Sequence, residues 1–322
     1  KCGFPLSQIG RFERGERSPT LNTIRILAEG MVMKTTSEKK DMYAIINNMI
    51  MEKLQNGKAP WRQTWNDFGP ARNYVSKKPY RGINALILNS MEFEYPLFLS
   101  FLQVKELGGH IKKGSKSVEV IYWKTLEFEN DDKITKIPFL RYYNVFNVDC
   151  VEGVKLKLPS KYVNDSNEYC ESIINDMPSK PTIEHGGDQP FYNWKEDKVK
   201  VPHRDNFILA DEYYATLFHE LSHSTGHESR LNRDTCMRPA VYGSRDYCKE
   251  ELVAEIATCF LCGETGIANS IIDNSSAYIQ FWLERLTHLL REDNKAFVRA
   301  SARAQKATDF ILNRVEEPAL QD

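Results

Sequence analysis

The residue types best suited to chemistry lie in the stretch from Thr216 to Gly226, which reads TLFHELSHSTG. His219 and His223 are four residues apart, and on a helix this spacing stacks two imidazoles on one face, about 5–6 Å apart at Cβ. Glu220 lies about 100° further round the helix, so its carboxylate can reach a water beside the metal without being a ligand itself. This HExxH arrangement is typical of zinc hydrolases.

The residues around the motif predict that both histidines lie on a helix. Apolar side chains recur at helical spacing between positions 210 and 224, at Tyr214, Leu217, Phe218 and Leu221. Gly226 ends this pattern. Metzincins carry a third histidine six residues after the second, and here that position is Ser229, so this class is disfavoured.

The third ligand is expected on a second helix, DYCKEELVAEIATCFLC, which starts near Asp246. This helix carries Glu251 and Glu255 four residues apart on one face. We predict that Glu251 is the ligand and that Glu255 orients an imidazole from behind. The reverse assignment, or two ordinary surface glutamates, are the alternatives. Two histidines and one glutamate leave a position open for water, which is typical of catalytic rather than structural zinc.

The predicted reaction is the hydrolysis of an amide bond. Zinc lowers the pKa of a bound water to about 7, and Glu220 would take its proton and pass it to the leaving nitrogen. Tyr247, Tyr242 and His227 are equal candidates for a donor to the carbonyl oxygen. The segment PFYNWKEDKVKVP predicts a hairpin that turns at Glu196-Asp197, whose edge strand could pair with a peptide.

Composition indicates an ordinary globular protein, with 322 residues of which 41% are hydrophobic and 27% charged. No apolar run approaches the roughly 18 residues of a membrane span, and the first residues lack a signal-peptide pattern. We therefore expect a cytoplasmic protein without a membrane partner. The seven cysteines are odd in number and scattered, which predicts reduced thiols. Cys259 and Cys262 form a CxxC inside an apolar run, which favours core packing over metal or redox use.

The net charge of −1 hides two oppositely charged halves. Residues 1–155 contain 24 Lys and Arg against 17 Asp and Glu, and residues 156–322 contain 19 against 27. A basic front half suggests a polyanionic partner, whereas the acidic back half argues against nucleic acid there. Uneven surface charge is the alternative. The reversal coincides with a polar, Pro-broken stretch at 152–165, where we place a domain boundary.

The densest mixture of aromatic and basic residues lies between positions 61 and 81, interleaved with Gly and Pro, and the basic turn HIKKGSK follows. Aromatic faces stack on unpaired bases at about 1–3 kcal/mol each, while nearby cations follow the phosphates. Because duplex bases are already stacked, this mixture favours single strands. The alternative places the aromatics in a core. The predicted DNA contacts are Trp61, Arg62, Trp65, Arg72, Tyr74, Lys77, Lys78, Tyr80, Arg81, Lys112, Lys113 and Lys116.

Helix and strand patterns occur in both halves, so the expected fold class is α+β. Helical periodicity covers residues 38–55, a helix led by Ser100 and the stretch 167–177. Two β-like runs, 117–129 and 136–150, are joined by a polar turn. Two amphipathic helices follow residue 275. At the other end, RFERGERSPTLNTIRILAEG in residues 1–30 resembles the back half of an XRE-type helix-turn-helix domain whose leading helices are missing.

Residues 38 to about 315 resemble ArdC-type antirestriction proteins of plasmids and other conjugative elements. The front matches in APWRQTW, KKPYRGIN, FLQVKELGGHIKKGSKSVEVIYW and RYYNVFNV, and the back in LFHELSHSTGHESRLNR and EELVAEIATCFLC. The resemblance implies two domains: a small α+β domain that binds single-stranded DNA, residues 36–155, and a zincin-like metallopeptidase domain, residues 160–318. It also implies protection of incoming DNA from host restriction.

The leading hypothesis is therefore an antirestriction protein of a mobile element that binds single-stranded DNA and carries a zinc peptidase acting on a protein or peptide of unknown identity. A regulatory zinc protease that cleaves a helix-turn-helix repressor is the alternative, suggested by residues 1–30. A third possibility is a DNA-shielding protein whose zinc site is structural or vestigial.

Overall fold

Helices and strands alternate through both halves of the chain in the computed structural model, which describes residues 41–56, 68–91, 93–130, 133–159, 166–235, 244–267 and 276–314. The α+β class expected from the sequence is confirmed. Residues 1–30, with the proposed helix-turn-helix remnant, lie outside these ranges. The described residues from 46 onward belong to one compact unit. None of the described helices is both long and apolar enough to cross a membrane.

The first half builds a four-stranded mixed sheet. Its strand order is β1-β2-β5-β4, with β1 and β2 parallel and the other pairs antiparallel. A separate antiparallel pair joins β3 to β6. The elements are α1 (Met42–Gln55), β1 (Arg72–Asn73), α2 (Gly82–Asn89), β2 (Leu97–Ser100), α3 (Phe101–Glu106), β3 (His110–Ile111), β4 (Val118–Asn130), β5 (Lys133–Asn147) and β6 (Val151–Glu152).

The long hairpin of β4 and β5 matches the two predicted β-like runs. The two strands pair along their whole length, from Val118 opposite Val145 to Asn130 opposite Lys133. In contrast, β2 pairs with β5 only over residues 145–147. The rest of the hairpin, residues 119–130 of β4 and 133–144 of β5, is therefore a two-stranded ribbon.

Local side-chain contacts explain where two short helices lie. The Ser100 hydroxyl accepts the N–H of Gln103, and the Gln103 side chain accepts the N–H of Ser100, so a capping box starts α3 where the sequence predicts. The Asn84 side chain accepts the N–H of Ile121 at 2.9 Å and donates to its carbonyl at 2.6 Å. This pair of bonds fixes α2 against β4.

The described part of the second half combines five α-helices with a three-stranded sheet of order β7-β9-β8. β8 is antiparallel to β9 and lies at the sheet edge, and the turn between them contains Asp197 with φ of 47°. The predicted hairpin is thus confirmed. The elements are α4 (Ser166–Asp176), β7 (Thr182–His185), β8 (Phe191–Asn193), β9 (Lys198–Val201), α5 (Ala210–Ser224), α6 (Arg245–Thr265), α7 (Ser276–Glu292) and α8 (Ala296–Ile311).

The core of this half forms around α5 and α6. The four apolar residues predicted for the inner face of α5 are all buried, in a cluster with Val199 and Val201 of β9. α6 packs against both α5 and α8, which explains why its side chains are buried almost all round. Cys259 and Cys262 are fully buried and neither is in a disulfide, in agreement with the predicted core packing. Gly266 ends α6 in the left-handed conformation, with φ of 76°.

The start of α2 in the first half is bonded to α8 in the second. Arg81, which precedes α2, forms an ion pair with the buried Asp309 of α8. The side chain of Gln305 accepts the N–H of Gly82 at 2.8 Å and donates to Asp309 at 3.1 Å. We call this set of contacts the α2–α8 joint.

Candidate metal centre

The two histidines of the HExxH motif project from the face of α5 that meets α6. Burial of the opposite, apolar face in the core leaves His219 and His223 on the remaining side, with side chains 14% exposed. Their ring centroids are 4.7 Å apart, and their Nε2 atoms approach to 3.1 Å. The predicted helix, Ala210–Ser224, is observed with these bounds.

Glu251 of α6 closes a three-residue cluster with these imidazoles. One carboxylate oxygen lies 3.6 Å from Nε2 of His219 and the other 3.6 Å from Nε2 of His223. Ligand atoms about 2.0–2.2 Å from one tetrahedral zinc ion lie roughly 3.3–3.6 Å from each other. The two Nε2 atoms are 3.1 Å apart, each lies 3.6 Å from one of the two Glu251 oxygens, and one ligand atom from each residue lies within 4.8 Å of the others. Among the described residues this is the one group with metal-ligand spacing, and its donor set fits a divalent metal such as zinc.

Glu255 lies behind His219, on the side away from Glu251. Its Oε1 atom is 3.9 Å from Nδ1 of His219, which is buried and has no hydrogen-bond partner within the described ranges. At this distance the carboxylate acts through its charge rather than through a hydrogen bond. The position is the one that the sequence analysis assigned to an orienting carboxylate.

The carboxylates around the histidines make this a site for cations. Burial by itself lowers the pKa of His219, but the neighbouring carboxylates of Glu251, Glu255 and Glu220 raise it overall. The same attraction favours a metal ion between the rings.

Glu220 lies beside the cluster and is itself buried, with 6% of its surface exposed. Burial raises the pKa of its carboxyl, while the two histidines lower it. The backbone N–H of Tyr192 in edge strand β8 also donates to this carboxylate. Glu220 therefore lies next to the three candidate ligands and next to edge strand β8.

The structure also brings Glu250 to the site, which the sequence analysis missed. Its Oε1 atom lies 3.5 Å from Nδ1 of His223, and the carboxylate forms a buried ion pair with Arg233. Burial raises the pKa of Glu250, but Arg233 and His223 lower it far more. The sequence singles out Glu251 because it shares a helix face with Glu255. Glu250 instead pairs with Arg233, which lies in a loop 17 residues earlier.

A second arginine connects the loop after α5 to the edge hairpin. Arg230 pairs with Asp197 in the β8–β9 turn and donates to the hydroxyl of Tyr192 at 3.2 Å. It also donates to the carbonyl of Ser224 at the end of α5, at 2.7 Å. These bonds hold edge strand β8 beside α5, the helix that carries His219 and His223.

Comparisons with known proteins agree with both halves of the fold. Residues 168–303 match the family model of a zincin-like metallopeptidase, and residues 40–146 match that of the N-terminal domain of the anti-restriction factor ArdC. The Mn(II)-bound crystal structure of the antirestriction protein ArdC from plasmid R388 is 30% identical, with a TM-score of 0.69, and the match covers 85% of this chain and 98% of that chain. The chain belongs to the ArdC antirestriction family. The metal-free R388 ArdC structure superposes with a TM-score of 0.70 at 29% identity and is covered completely.

Curated relatives of this ArdC-family chain include longer proteins. Two DNA primases TraC of Escherichia coli are 33% and 32% identical over 298 residues, which is 85% of this chain but only 27% and 20% of the primases. The uncharacterized protein y4eC of Sinorhizobium fredii is 28% identical over 300 residues, 94% of its length. The chain thus spans about a quarter of the primases it matches.

The predicted DNA contacts of the ArdC N-terminal region fall into three groups. Trp61, Arg62 and Trp65 lie outside the described residues. Five lysines, Lys77, Lys78, Lys112, Lys113 and Lys116, are exposed, although Nζ of Lys112 donates to the carbonyl of Asp149 at 2.7 Å. The others are engaged within the protein: Arg72 belongs to β1, and Tyr74, beneath the ammonium of Lys77 at 4.0 Å, accepts the N–H of Lys157.

Tyr80 and Arg81, two of the predicted DNA contacts, also contact other parts of the protein. Tyr80 is only partly exposed and its ring packs edge-on against the buried Phe98, with centroids 6.2 Å apart. Arg81 is committed to Asp309 in the α2–α8 joint. These placements favour a packing role for Tyr80 and a joint role for Arg81 over the predicted contacts with DNA.

Proposed function

We propose that this chain is an antirestriction protein of a mobile element that binds single-stranded DNA and carries a zinc-dependent peptidase, and that it protects transferred DNA from host restriction. The peptidase part of this proposal rests on one observation: His219, His223 and Glu251 lie close together, next to the buried Glu220. Membership in the ArdC family supports the DNA-protecting half.

The chemistry of the proposed peptidase divides between the metal and the protein. His219, His223 and Glu251 would hold zinc, which when bound supplies a Lewis acid that polarises a carbonyl and acidifies water. Glu220 accepts the proton of the attacking water on its carboxylate and delivers it to the leaving amide nitrogen. Burial of this carboxyl, which raises its pKa, suits a group that must gain and lose a proton near neutral pH.

Two further groups have a place in this proposal. Burial raises the pKa of the Glu251 carboxyl, but His219, His223 and Tyr247 lower it, so Tyr247 lies near the site and is a candidate donor to the carbonyl oxygen of a substrate. His227 stays a candidate through Nε2, because its Nδ1 accepts the N–H of Ser229 at 3.2 Å, and Tyr242 lies outside the described ranges. The edge of β8 offers a peptide backbone a strand to pair with.

The proposed DNA-binding half rests on charge and residue type. The exposed lysines at 78, 112, 113 and 116 belong to the basic front half, where they can follow a phosphate backbone. Tyr142 and Tyr143 of β5 are 41% and 40% exposed and add aromatic surface. The acidic second half repels DNA, so we propose that the peptidase acts on a protein and not on the nucleic acid.

A plasmid-transfer assay into a restricting host tests the proposal, with a non-restricting host as the reference for transfer itself. Wild type should raise survival of unmodified plasmid, and Trp61→Ala/Trp65→Ala should abolish this protection. Glu220→Gln reports whether hydrolysis is needed, with the exposed Glu228→Gln as its matched control. No protection by wild type overturns the antirestriction role.

Two outcomes of the same assay separate the halves. If Glu220→Gln loses protection and Glu228→Gln keeps it, the peptidase takes part in protection. If Glu220→Gln protects as wild type does, and extracts of the restricting host show the same protein fragments with both, the peptidase half is wrong and a DNA-shielding protein remains.

A further inference from the structure

The loop after α5 contains two buried arginines that hold different elements. The side chain of Arg230 is 1% exposed and that of Arg233 is 5% exposed, so both are fully enclosed charges paired with a carboxylate. Arg230 reaches the β8–β9 turn, as described above. Arg233 reaches α6. Both arginines donate to carbonyl oxygens in the last turn of α5, but Arg230 pairs with Asp197 and Arg233 pairs with Glu250, so a comparison of the two isolates the contact with Glu250.

Arg233 grips the end of α5 that carries the second histidine. Its guanidinium donates to the carbonyl oxygens of Ser222 and His223, at 2.8 and 3.3 Å, and to the hydroxyl of Thr225 at 2.5 Å. The last carbonyls of a helix have no partner within the helix and carry its negative dipole end, so a buried cation is well suited to bind them. Arg233 thereby fixes the backbone turn from which His223 projects.

The same guanidinium holds Glu250 by two bonds. Its Nη2 atom lies 2.5 Å from Oε1 and its Nε atom 3.2 Å from Oε2 of the carboxylate, a paired geometry that lysine cannot reproduce. The hydroxyl of Thr235 donates to Oε2 at 2.5 Å. With both oxygens held, Oε1 of Glu250 points at Nδ1 of His223, 3.5 Å away.

This placement concerns the metal centre directly. Nδ1 of His223 faces Glu250, which leaves Nε2 of the same ring directed at Glu251 and His219. Glu250 is also the residue next to Glu251 on α6. The carboxylate therefore determines the orientation of one histidine and the position of the helix segment that supplies the third ligand.

We propose that Arg233, Glu250 and Thr235 form a positioning cluster that holds His223 and Glu251 in metal-binding geometry and thereby sets the affinity of the site. The inference rests on the proposed metal site. It assigns a role to the SRLNRDT segment, residues 229–235, that the peptidase chemistry itself does not use. Partners of this kind, behind the ligands, typically change metal affinity 10- to 100-fold when they are removed.

The test measures metal binding by the purified full chain, not catalysis. Zinc affinity is determined by competition with a chromogenic chelator, and the geometry of the site by the visible absorption of bound Co²⁺. We expect Arg233→Lys and Glu250→Gln each to weaken zinc binding by about 10- to 100-fold and to alter the Co²⁺ spectrum. Arg230→Lys, the matched buried control, should bind zinc within about threefold of wild type and keep its spectrum.

Thr235 provides a variant that leaves the buried charges in place. Thr235→Val removes only the hydroxyl and should weaken zinc binding, whereas Thr235→Ser keeps the hydroxyl and should restore wild-type affinity. This pair keeps the test decisive even where Arg233→Lys fails to fold, which circular dichroism of the metal-free protein reveals.

The outcomes separate this inference from the proposed function. Failure of wild type to bind zinc or Co²⁺ at all contradicts the metal site. Binding by wild type, with Glu250→Gln and Thr235→Val equal to it, contradicts only the positioning cluster. Equal weakening in Arg230→Lys and Arg233→Lys would likewise overturn it, because the effect would then be one of general stability.

Discussion

The ion pair in the α2–α8 joint should respond asymmetrically to removal of its two partners. The Asp309 side chain is 6% exposed, whereas that of Arg81 is 48% exposed. Arg81→Ala leaves a buried carboxylate without its cation, but Asp309→Asn leaves a guanidinium that can turn towards water. Two substitutions that break the same pair should therefore cost different amounts of unfolding free energy.

The magnitude follows from the burial of each partner. Removing one partner of a fully buried pair costs about 3–5 kcal/mol, and an exposed pair contributes about 1 kcal/mol or less. Because only one partner is buried here, we expect Arg81→Ala to lower the free energy of unfolding by about 2 kcal/mol. Asp309→Asn should cost about 1 kcal/mol, since the new amide oxygen can still accept from Gln305.

The penalty of Arg81→Ala should also depend on pH. Burial raises the pKa of the Asp309 carboxyl, and the charge of Arg81 offsets part of that increase. An acid whose pKa is higher in the folded state binds its proton more tightly there, so its ionisation costs stability as the pH rises above the unfolded value of about 3.9. Without Arg81 the pKa rises further, and the penalty should grow from about pH 4 to neutrality.

Urea unfolding of the full chain, followed by circular dichroism at pH 5 and pH 7, measures these differences. Lys78→Ala, which removes an exposed cation from the same loop, is the control and should change stability by less than about 0.5 kcal/mol. The double variant Arg81→Ala/Asp309→Asn lacks the Asp309 carboxyl. In the Asp309→Asn background, the penalty of Arg81→Ala should therefore not depend on pH. Equal costs for the two single variants at pH 7 would refute the reasoning.

Three further outcomes are expected. Zinc at 100 times its dissociation constant should stabilise wild type by about 2.7 kcal/mol and Glu251→Gln hardly at all; equal zinc-dependent shifts in urea midpoint would contradict ligation by Glu251. Glu255→Gln should retain zinc binding with about tenfold lower affinity, measured by calorimetry; complete loss would favour the reverse assignment of the two glutamates. Single-stranded DNA should bind more tightly than duplex, with an affinity that falls as the salt concentration rises. Trp61→Ala and Trp65→Ala should each lower the free energy of binding to single strands by about 1–3 kcal/mol, measured by fluorescence anisotropy. Equal affinity for duplex would count against stacking.

Local patterns gave the sequence analysis its accurate predictions. The helix of the HExxH motif follows from apolar spacing within 15 residues, and the start of α3 follows from the hydroxyl of Ser100 and the side chain of Gln103, three residues later. The β8–β9 hairpin has its own turn residues. In each case the signal and the structure lie within one short segment.

Long-range contacts account for what the sequence analysis missed. Composition marks Arg81 as a cation in a basic loop, but its partner Asp309 is 228 residues away, so nothing local distinguishes a joint from a phosphate contact. Glu250 and Glu251 are adjacent and chemically identical, and only the packing of α6 on α5 decides which one faces the two Nε2 atoms. Tyr80 likewise has the residue type of a stacking platform, while its packing on Phe98 is visible only in the fold.

The β4–β5 ribbon is attached to the sheet only at its base, because β2 pairs with β5 no further than Val145. From Lys133 to Asn144, β5 bonds to β4 alone among the described strands, a length of roughly 40 Å at about 3.4 Å per residue. Since side chains alternate between faces, deleting two residues from each strand at the tip preserves the facing of every residue that remains. A graded series of shortened ribbons could therefore test whether the length of this hairpin matters to the activity of the protein.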